Sequence, residues 1–230
     1  PMGYGKTTAV NWYLNERVKK GGAVVIRISI YTNNLPIFWK SVQNAFRFAG
    51  FNFLEEYECP SDLASGGLFA DDLSHLLAGE TDYYIFIDDF HLLTDARIGD
   101  FFCTLAKRIP DNIHIIVASR DRFLSGGAVV GLGGKLHQIT VDHLRLNHTE
   151  LSIYSNLCGT ELNDRQIESL LHSSEGWFSA VYLNLCSFAE RGELPDDHSD
   201  IYEMFSAAMI DPLPEKQREF LIVLGLADEF

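Results

Sequence analysis

The sequence is short of positive charge. Its 18 Lys and Arg stand against 32 Asp and Glu, for a net charge of −14. Phosphate-backbone binding runs on Lys and Arg, so this stretch is not built to grip nucleic acid by itself. Cysteine is scarce as well. Cys59, Cys103, Cys158 and Cys186 stand far apart with no CxxC and no Cys/His cluster, which suggests neither a zinc site nor a disulfide framework and fits reduced thiols in a cytoplasmic protein. No apolar run approaches the roughly 18 residues of a membrane span, and Pro1-Met2-Gly3 does not open a signal peptide, so no membrane partner is expected. Internal repeats and low-complexity tracts are absent too. What is present is 230 residues with 47% hydrophobic, 12% aromatic and 22% charged side chains, the composition of an ordinary globular chain. That length suits one large domain, or one domain with a smaller companion. A Pro start and the apolar run Phe220 to Leu224 near the end read as a piece of a longer protein.

The charge is unevenly spread. Residues 1–50 carry seven basic side chains and one acidic, residues 51–100 one basic and twelve acidic, and residues 190–230 three basic and eleven acidic. A polyanion site therefore belongs near the start. Hydrophobic period predicts a helix over 6–20, closed by Gly21-Gly22; a nearly continuous β-branched run predicts a buried strand at 23–30, and the apolar runs at 83–87 and 113–118 read as two more. Helices are expected at 37–49, 68–77 and 97–109, a glycine-rich loop at 125–134, and a short fourth strand from Leu136 to Val141. Strands separated by helices imply a parallel sheet covered on both faces. From Thr149 onward only helical patterns remain, near 149–157, 163–172, 177–190, 200–210 and 215–226.

Three motifs carry chemistry. Gly3-Tyr4-Gly5-Lys6-Thr7-Thr8, running into a helix, matches the second half of the phosphate-loop pattern GxxxxGK[ST]. Glycines let backbone N–H groups turn toward a phosphate, the helix N-terminus adds a positive dipole end, Lys6 adds a charge, and the Thr7 hydroxyl suits Mg²⁺. The loop's first glycine and the strand that would feed it are not in the sequence; an open slot is expected between the strand at 24–30 or 84–88 and the strand at 113–118. Tyr83-Tyr84-Ile85-Phe86-Ile87-Asp88-Asp89 is a buried strand ending in two acids, a Walker B form that assigns Asp88 to the metal and Asp89 to the attacking water. The strand at 113–118 ends in Ser119-Arg120, putting Arg120 at the sheet edge where such folds bind ligands and where it can contact a γ-phosphate. His91, close behind the acids, reads as a structural histidine, and Trp177, Phe38 and Trp39 as packing residues.

The ordered set is more specific than any single motif. PMGYGKTT, Asn33-Asn34-Leu35-Pro36-Ile37-Phe38-Trp39, IFIDDFHLL, IIVASR, Asp142-His143-Leu144-Arg145-Leu146 and Ser174-Glu175-Gly176-Trp177 follow one another as in a known family. Together they resemble the ATPase module of MalT-type LuxR-family transcriptional activators, which belong to the STAND class of P-loop NTPases. One departure is Asn147-His148-Thr149-Glu150, where the family more often has a Phe-Thr-x-Glu-Glu-like helix start. The resemblance implies an α/β P-loop nucleotide-binding domain over 1–145, an all-helical domain over 146–198 and the start of a winged-helix domain over 199–230. It implies ATP or ADP with Mg²⁺ as cofactors. The phosphate loop would be Gly3, Tyr4, Gly5, Lys6, Thr7 and Thr8, the metal residues Thr7 and Asp88, and the catalytic residues Lys6, Asp89 and Arg120. Gly176-Trp177 would begin a helix facing the nucleotide. Family members continue into a repeat sensor and a helix-turn-helix domain, through which alone they contact DNA. The expected function is a weak, Mg-dependent regulatory ATPase switch that self-associates in its ATP state. The alternative is a nucleotide-dependent oligomerisation scaffold with little or no hydrolysis. A metabolic P-loop kinase is disfavoured, because the helical tail after residue 145 supplies no acceptor-substrate lid.

Overall fold

A computed structural model describes residues 2–60, 62–192, 194 and 213–225. The chain divides into two compact units, Pro1–Ile139 and Thr140–Phe230.

The first unit is built on strands β1 (Ala23–Ser29), β2 (Asp82–Asp88) and β3 (Ile113–Val117), parallel and in the order β1-β2-β3. Helices α1 (Lys6–Lys20), α2 (Leu35–Phe48), α3 (Leu63–Leu76), α4 (Ala96–Arg108) and α5 (Gly126–Leu132) accompany them. Alternation along the strands sends successive side chains to opposite faces. Ile26, Ile28, Ile85, Ile87 and Ile113 pack into the main core with Phe38, Trp39, Phe46, Phe69, Leu73, Phe101 and Phe102 from α2, α3 and α4. On the other face, Tyr84, Phe86, Val25 and Ile116 meet Val10 and Leu14 of α1. The register pairs Ser29 with Asp88 at one end of the sheet, so that end is where the strands' carboxyl termini gather.

Three sequence expectations fail here for physical reasons. The segment 136–141 is not a strand: it leaves a 3₁₀ turn at Gly133–Lys135 and enters another at Val141–His143, closed by a Thr140–His143 capping box. Among the described residues its β-branched side chains have no neighbouring strand with which to form a ladder, and β propensity acts largely through such a neighbour. The glycine-rich stretch is not wholly loop, because Ser125 accepts a hydrogen bond from the Ala128 N–H and starts α5. Nor is there a slot between β2 and β3. Ile85 pairs with Ile115 directly, so among the described residues the sheet's free edges are the outer sides of β1 and β3.

The second unit contains α6 (His148–Leu157), α7 (Asp164–Ser174), α8 (Phe178–Arg191) and α9 (Glu215–Gly225). Leu151, Ile167, Leu170, Val181 and Leu185 form the core of the α6–α8 bundle. Although Asn147-His148-Thr149-Glu150 departs from the family's usual helix start, it makes a full capping box. Asn147 Oδ1 accepts from the Glu150 N–H and Glu150 Oε2 from the Asn147 N–H, each at 3.0 Å. The helix expected at 200–210 lies outside the described residues, as does most of the 199–230 segment assigned to a winged helix.

Candidate functional site

The loop before α1 turns through left-handed backbone at Gly3 (φ 79) and Gly5 (φ 68), a conformation only glycine adopts without cost. Gly5 caps α1 without a side-chain hydrogen bond, and the first turn holds no acid. A helix N-terminus with no side-chain cap and no acid in its first turn presents its positive dipole end to an anion. Lys6 and Thr7 are the first two helical residues, so the lysine charge and the threonine hydroxyl sit beside that end.

Asp88 is the last residue of β2. Across 81 positions of sequence, the Thr7 hydroxyl donates to Asp88 Oδ1 at 3.2 Å. The same Oδ1 accepts the Asp89 backbone N–H at 3.0 Å. Asp89 has left-handed backbone (φ 54, ψ 38) and opens a 3₁₀ turn over Phe90–Leu92. A non-glycine residue in that region is strained, and Asp is among the few that tolerate it. The turn is held from behind: the Phe90 N–H donates to the Ala118 carbonyl at 3.0 Å, and the Phe90 ring packs against Phe102 and Phe123. Strand geometry thus aims two neighbouring carboxylates differently, Asp88 toward the loop and Asp89 outward with its side chain 54% exposed.

Magnesium prefers hard oxygen ligands at about 2.0–2.1 Å in octahedral array, whose adjoining positions stand about 3 Å apart. The Thr7 hydroxyl and the Asp88 carboxylate, 3.2 Å apart, are hard oxygens of the kind that would hold such an ion. Arg120 lies on an exposed loop three residues beyond β3, with no contact to Thr7, Asp88 or Asp89 among the described hydrogen bonds and ion pairs. Thr8 is exposed on α1. Two features were not legible in the sequence. One is a brace in which Asn33 Nδ2 donates to Thr94 Oγ1 at 2.7 Å and the Thr94 N–H returns to Asn33 Oδ1 at 2.9 Å, tying the loop after β1 to the loop before α4. The other is His91, whose Nδ1 is buried without a hydrogen-bond partner, contrary to a satisfied structural histidine.

Two marked titration shifts lie away from these residues. Burial pushes the Tyr84 phenol, in mid-strand beneath α1, up to about 12. The Arg97 guanidinium holds the α4 cap Asp95 down to about 2. Both are explained by structure, one by packing and one by capping.

In the second unit two distant motifs meet. The Leu146 N–H donates to the Gly176 carbonyl at 2.9 Å, and a Cβ at Gly176 would lie 2.5 Å from the Leu146 oxygen. Gly176 is therefore a point of backbone-to-backbone contact. The half-buried Trp177 opens α8, and Tyr154 of α6 packs against Phe178 one residue on.

No family model matches the chain. Over its whole length it is similar to MalT-type HTH transcriptional regulators, as its motifs indicate. The HTH-type transcriptional regulator MalT of Vibrio campbellii is 23% identical over 260 residues, covering 100% of this chain and 27% of that protein. MalT of Vibrio cholerae is 24% identical over 258 residues, with the same coverage of 100% and 27%. The serine/threonine-protein kinase PknK of Mycobacterium tuberculosis is 24% identical over 249 residues, covering 99% of this chain and 22% of the kinase. The chain thus spans about a quarter of the length of these relatives. Among solved structures, Cdc6p from Pyrobaculum aerophilum aligns with a TM-score of 0.48 at 14% identity, over 83% of this chain and 54% of that one. A RuvB mutant from Thermotoga maritima aligns at 0.34 and 14% identity, over 96% and 74%.

Proposed function

We propose that the chain is the nucleotide-binding module of a signal-responsive transcriptional regulator, a switch that binds ATP and hydrolyses it slowly. One observation carries this reading: the Thr7 hydroxyl of the glycine loop and the Asp88 carboxylate of the β2 end meet at 3.2 Å. Two motifs assigned to one ion from opposite parts of the sequence converge on one point.

In this reading Gly3, Tyr4, Gly5 and Thr8 shape the loop around the phosphates, and Lys6 supplies the charge that balances them. Thr7 and Asp88 would hold Mg²⁺, which would supply positive charge to neutralise the phosphate oxygens. Asp89, exposed and adjacent, accepts a hydrogen bond from the attacking water and orients it. Arg120 reaches the γ-phosphate from the loop after β3 and distinguishes ATP from ADP. ATP favours a self-associating state, and hydrolysis to ADP reverses it. The two states must differ in nucleotide affinity for that to work. DNA is contacted by another domain of the parent protein, which is cytoplasmic; the strongly negative charge here supports this, as does similarity to regulators many times its length. Among the described residues no helix is long and apolar enough to cross a membrane.

Replacing Asp89 with Asn separates the switch from a mere scaffold. The amide keeps the carboxylate's shape but loses its charge and basicity, so single-turnover hydrolysis should fall about 10²–10⁴-fold while ATP affinity holds. A parent protein that binds ATP without measurable hydrolysis identifies the scaffold instead.

A further inference from the structure

The turn beyond Asp89 holds a ring that the chemistry above does not use. The His91 side chain is 12% exposed, and its Nδ1 is buried without a hydrogen-bond partner. A buried polar atom left unpaired is costly, and native structures rarely keep one without a purpose. An acceptor is at hand: Asp89 Oδ1 lies 3.9 Å from Nδ1, just beyond hydrogen-bond length.

The backbone between them is fixed. The Asp89 N–H is held by Asp88 Oδ1, the Phe90 N–H by the Ala118 carbonyl, and the Leu92 N–H by the Asp89 carbonyl, each at 3.0 Å. Phe90 is gripped by Phe102 and Phe123, with ring centroids 5.5 and 4.4 Å away. The half-exposed Asp89 side chain is what remains free to turn. A shift of about 1 Å brings its oxygen within hydrogen-bond reach of the ring. The left-handed backbone at Asp89 points the same way, since strain of this kind persists where the surroundings hold a residue for a task.

We propose that His91 is a positioning residue for Asp89. Its imidazole donates from the Nδ1–H to one Asp89 oxygen and so fixes the carboxylate with its other oxygen toward the attacking water. This rests on the reading of Asp89 as the water-orienting acid. His91 touches neither nucleotide nor metal and acts only through Asp89.

The test compares His91→Ala, His91→Asn and His91→Gln. An Asn amide nitrogen falls near the place of Nδ1, whereas a Gln amide reaches the place of Nε2. Single-turnover hydrolysis at saturating Mg-ATP should drop roughly ten- to a hundredfold in the Ala and Gln variants, the scale of one hydrogen bond to a charged group. ATP affinity by calorimetry should stay unchanged in all three, and the Asn variant should recover most of the rate. Equal losses in Asn and Gln, or an unaltered rate in Ala, overturn the proposal, as does a fall in melting temperature that alone tracks the rate. A second measurement needs no turnover. Imidazole ¹⁵N–¹H correlation spectra should show the His91 proton on Nδ1 and its signal displaced by Asp89→Ala. A proton on Nε2, indifferent to Asp89→Ala, refutes the positioning role whatever the hydrolysis rate. An Nδ1 proton that responds to Asp89→Ala in a protein that hydrolyses nothing sustains the contact and refutes the ATPase reading instead.

Discussion

Replacing Gly176 with Ala should damage the helical unit out of proportion to a single methyl group. Gly176 sits at φ +71, so any Cβ there carries the left-handed penalty of about 1–2 kcal/mol. The added carbon would also stand 2.5 Å from the Leu146 oxygen, a distance real Cβ atoms essentially never show, and a tight 3.1 Å from its nitrogen, and both atoms belong to backbone that cannot rotate away. The two segments must part, which breaks the 2.9 Å bond from the Leu146 N–H to the Gly176 carbonyl. An unsatisfied buried group costs about 1–3 kcal/mol more, for a total of roughly 2–5 kcal/mol. Gly159 provides the control: it has φ +77 but nothing within 4 Å of a Cβ, so Gly159→Ala should cost only the strain of about 1–2 kcal/mol. Urea denaturation followed by circular dichroism at 222 nm measures both. Equal destabilisation by the two substitutions would refute the claim that the Leu146–Gly176 contact holds the unit together.

Two further outcomes follow from other parts of the fold. Asp95 caps α4 and is gripped by Arg97, with N–O distances of 2.6–3.2 Å, which holds its pKa down to about 2. A depressed carboxylate stabilises fully above its unfolded value of about 3.9 and loses that contribution as pH falls toward the folded value. The difference in urea midpoint between the parent and Asp95→Asn should therefore shrink between pH 4 and pH 2, and a difference constant over that range would contradict the assignment. At the sheet, a strand feeding the phosphate loop would pair along the outer edge of β3, an apolar and largely half-buried strand without charge or proline to protect it. Extending the chain upstream through such a strand should raise the melting temperature, reduce aggregation and slow amide exchange in Ile113–Val117; if none of these changes, that placement is wrong.

Much of the first unit was legible because its signals are local. Apolar β-branched runs mark β1, β2 and β3, helical periodicity marks α1 and α4, and glycine at positions 3 and 5 permits the turn into α1. What was not legible depends on neighbours. The Leu136–Val141 stretch carries strand-like residues, yet among the described residues no strand runs beside it. Ser125 caps α5 although that helix holds three glycines, Gly126, Gly127 and Gly131, which composition alone hides. Thr7 and Asp88 were each recognisable from their motifs, but their meeting across 81 positions is a fact of the sheet. The orphaned nitrogen of His91 and the brace between Asn33 and Thr94 leave no trace in the sequence at all, since burial and pairing belong to the folded chain.

Calorimetric titration of Mg-ATP into the parent and Lys6→Ala proteins tests the central claim most directly. If the loop before α1 cradles phosphate, Lys6 supplies a charge-assisted contact of about 1.5–3 kcal/mol, so the variant should bind ATP roughly ten- to a hundredfold more weakly. Its circular dichroism spectrum and melting temperature should match the parent's, because Lys6 lies outside both hydrophobic cores of the first unit. ATP affinity unaltered by Lys6→Ala in a folded protein would contradict the phosphate-loop assignment and the switch built on it.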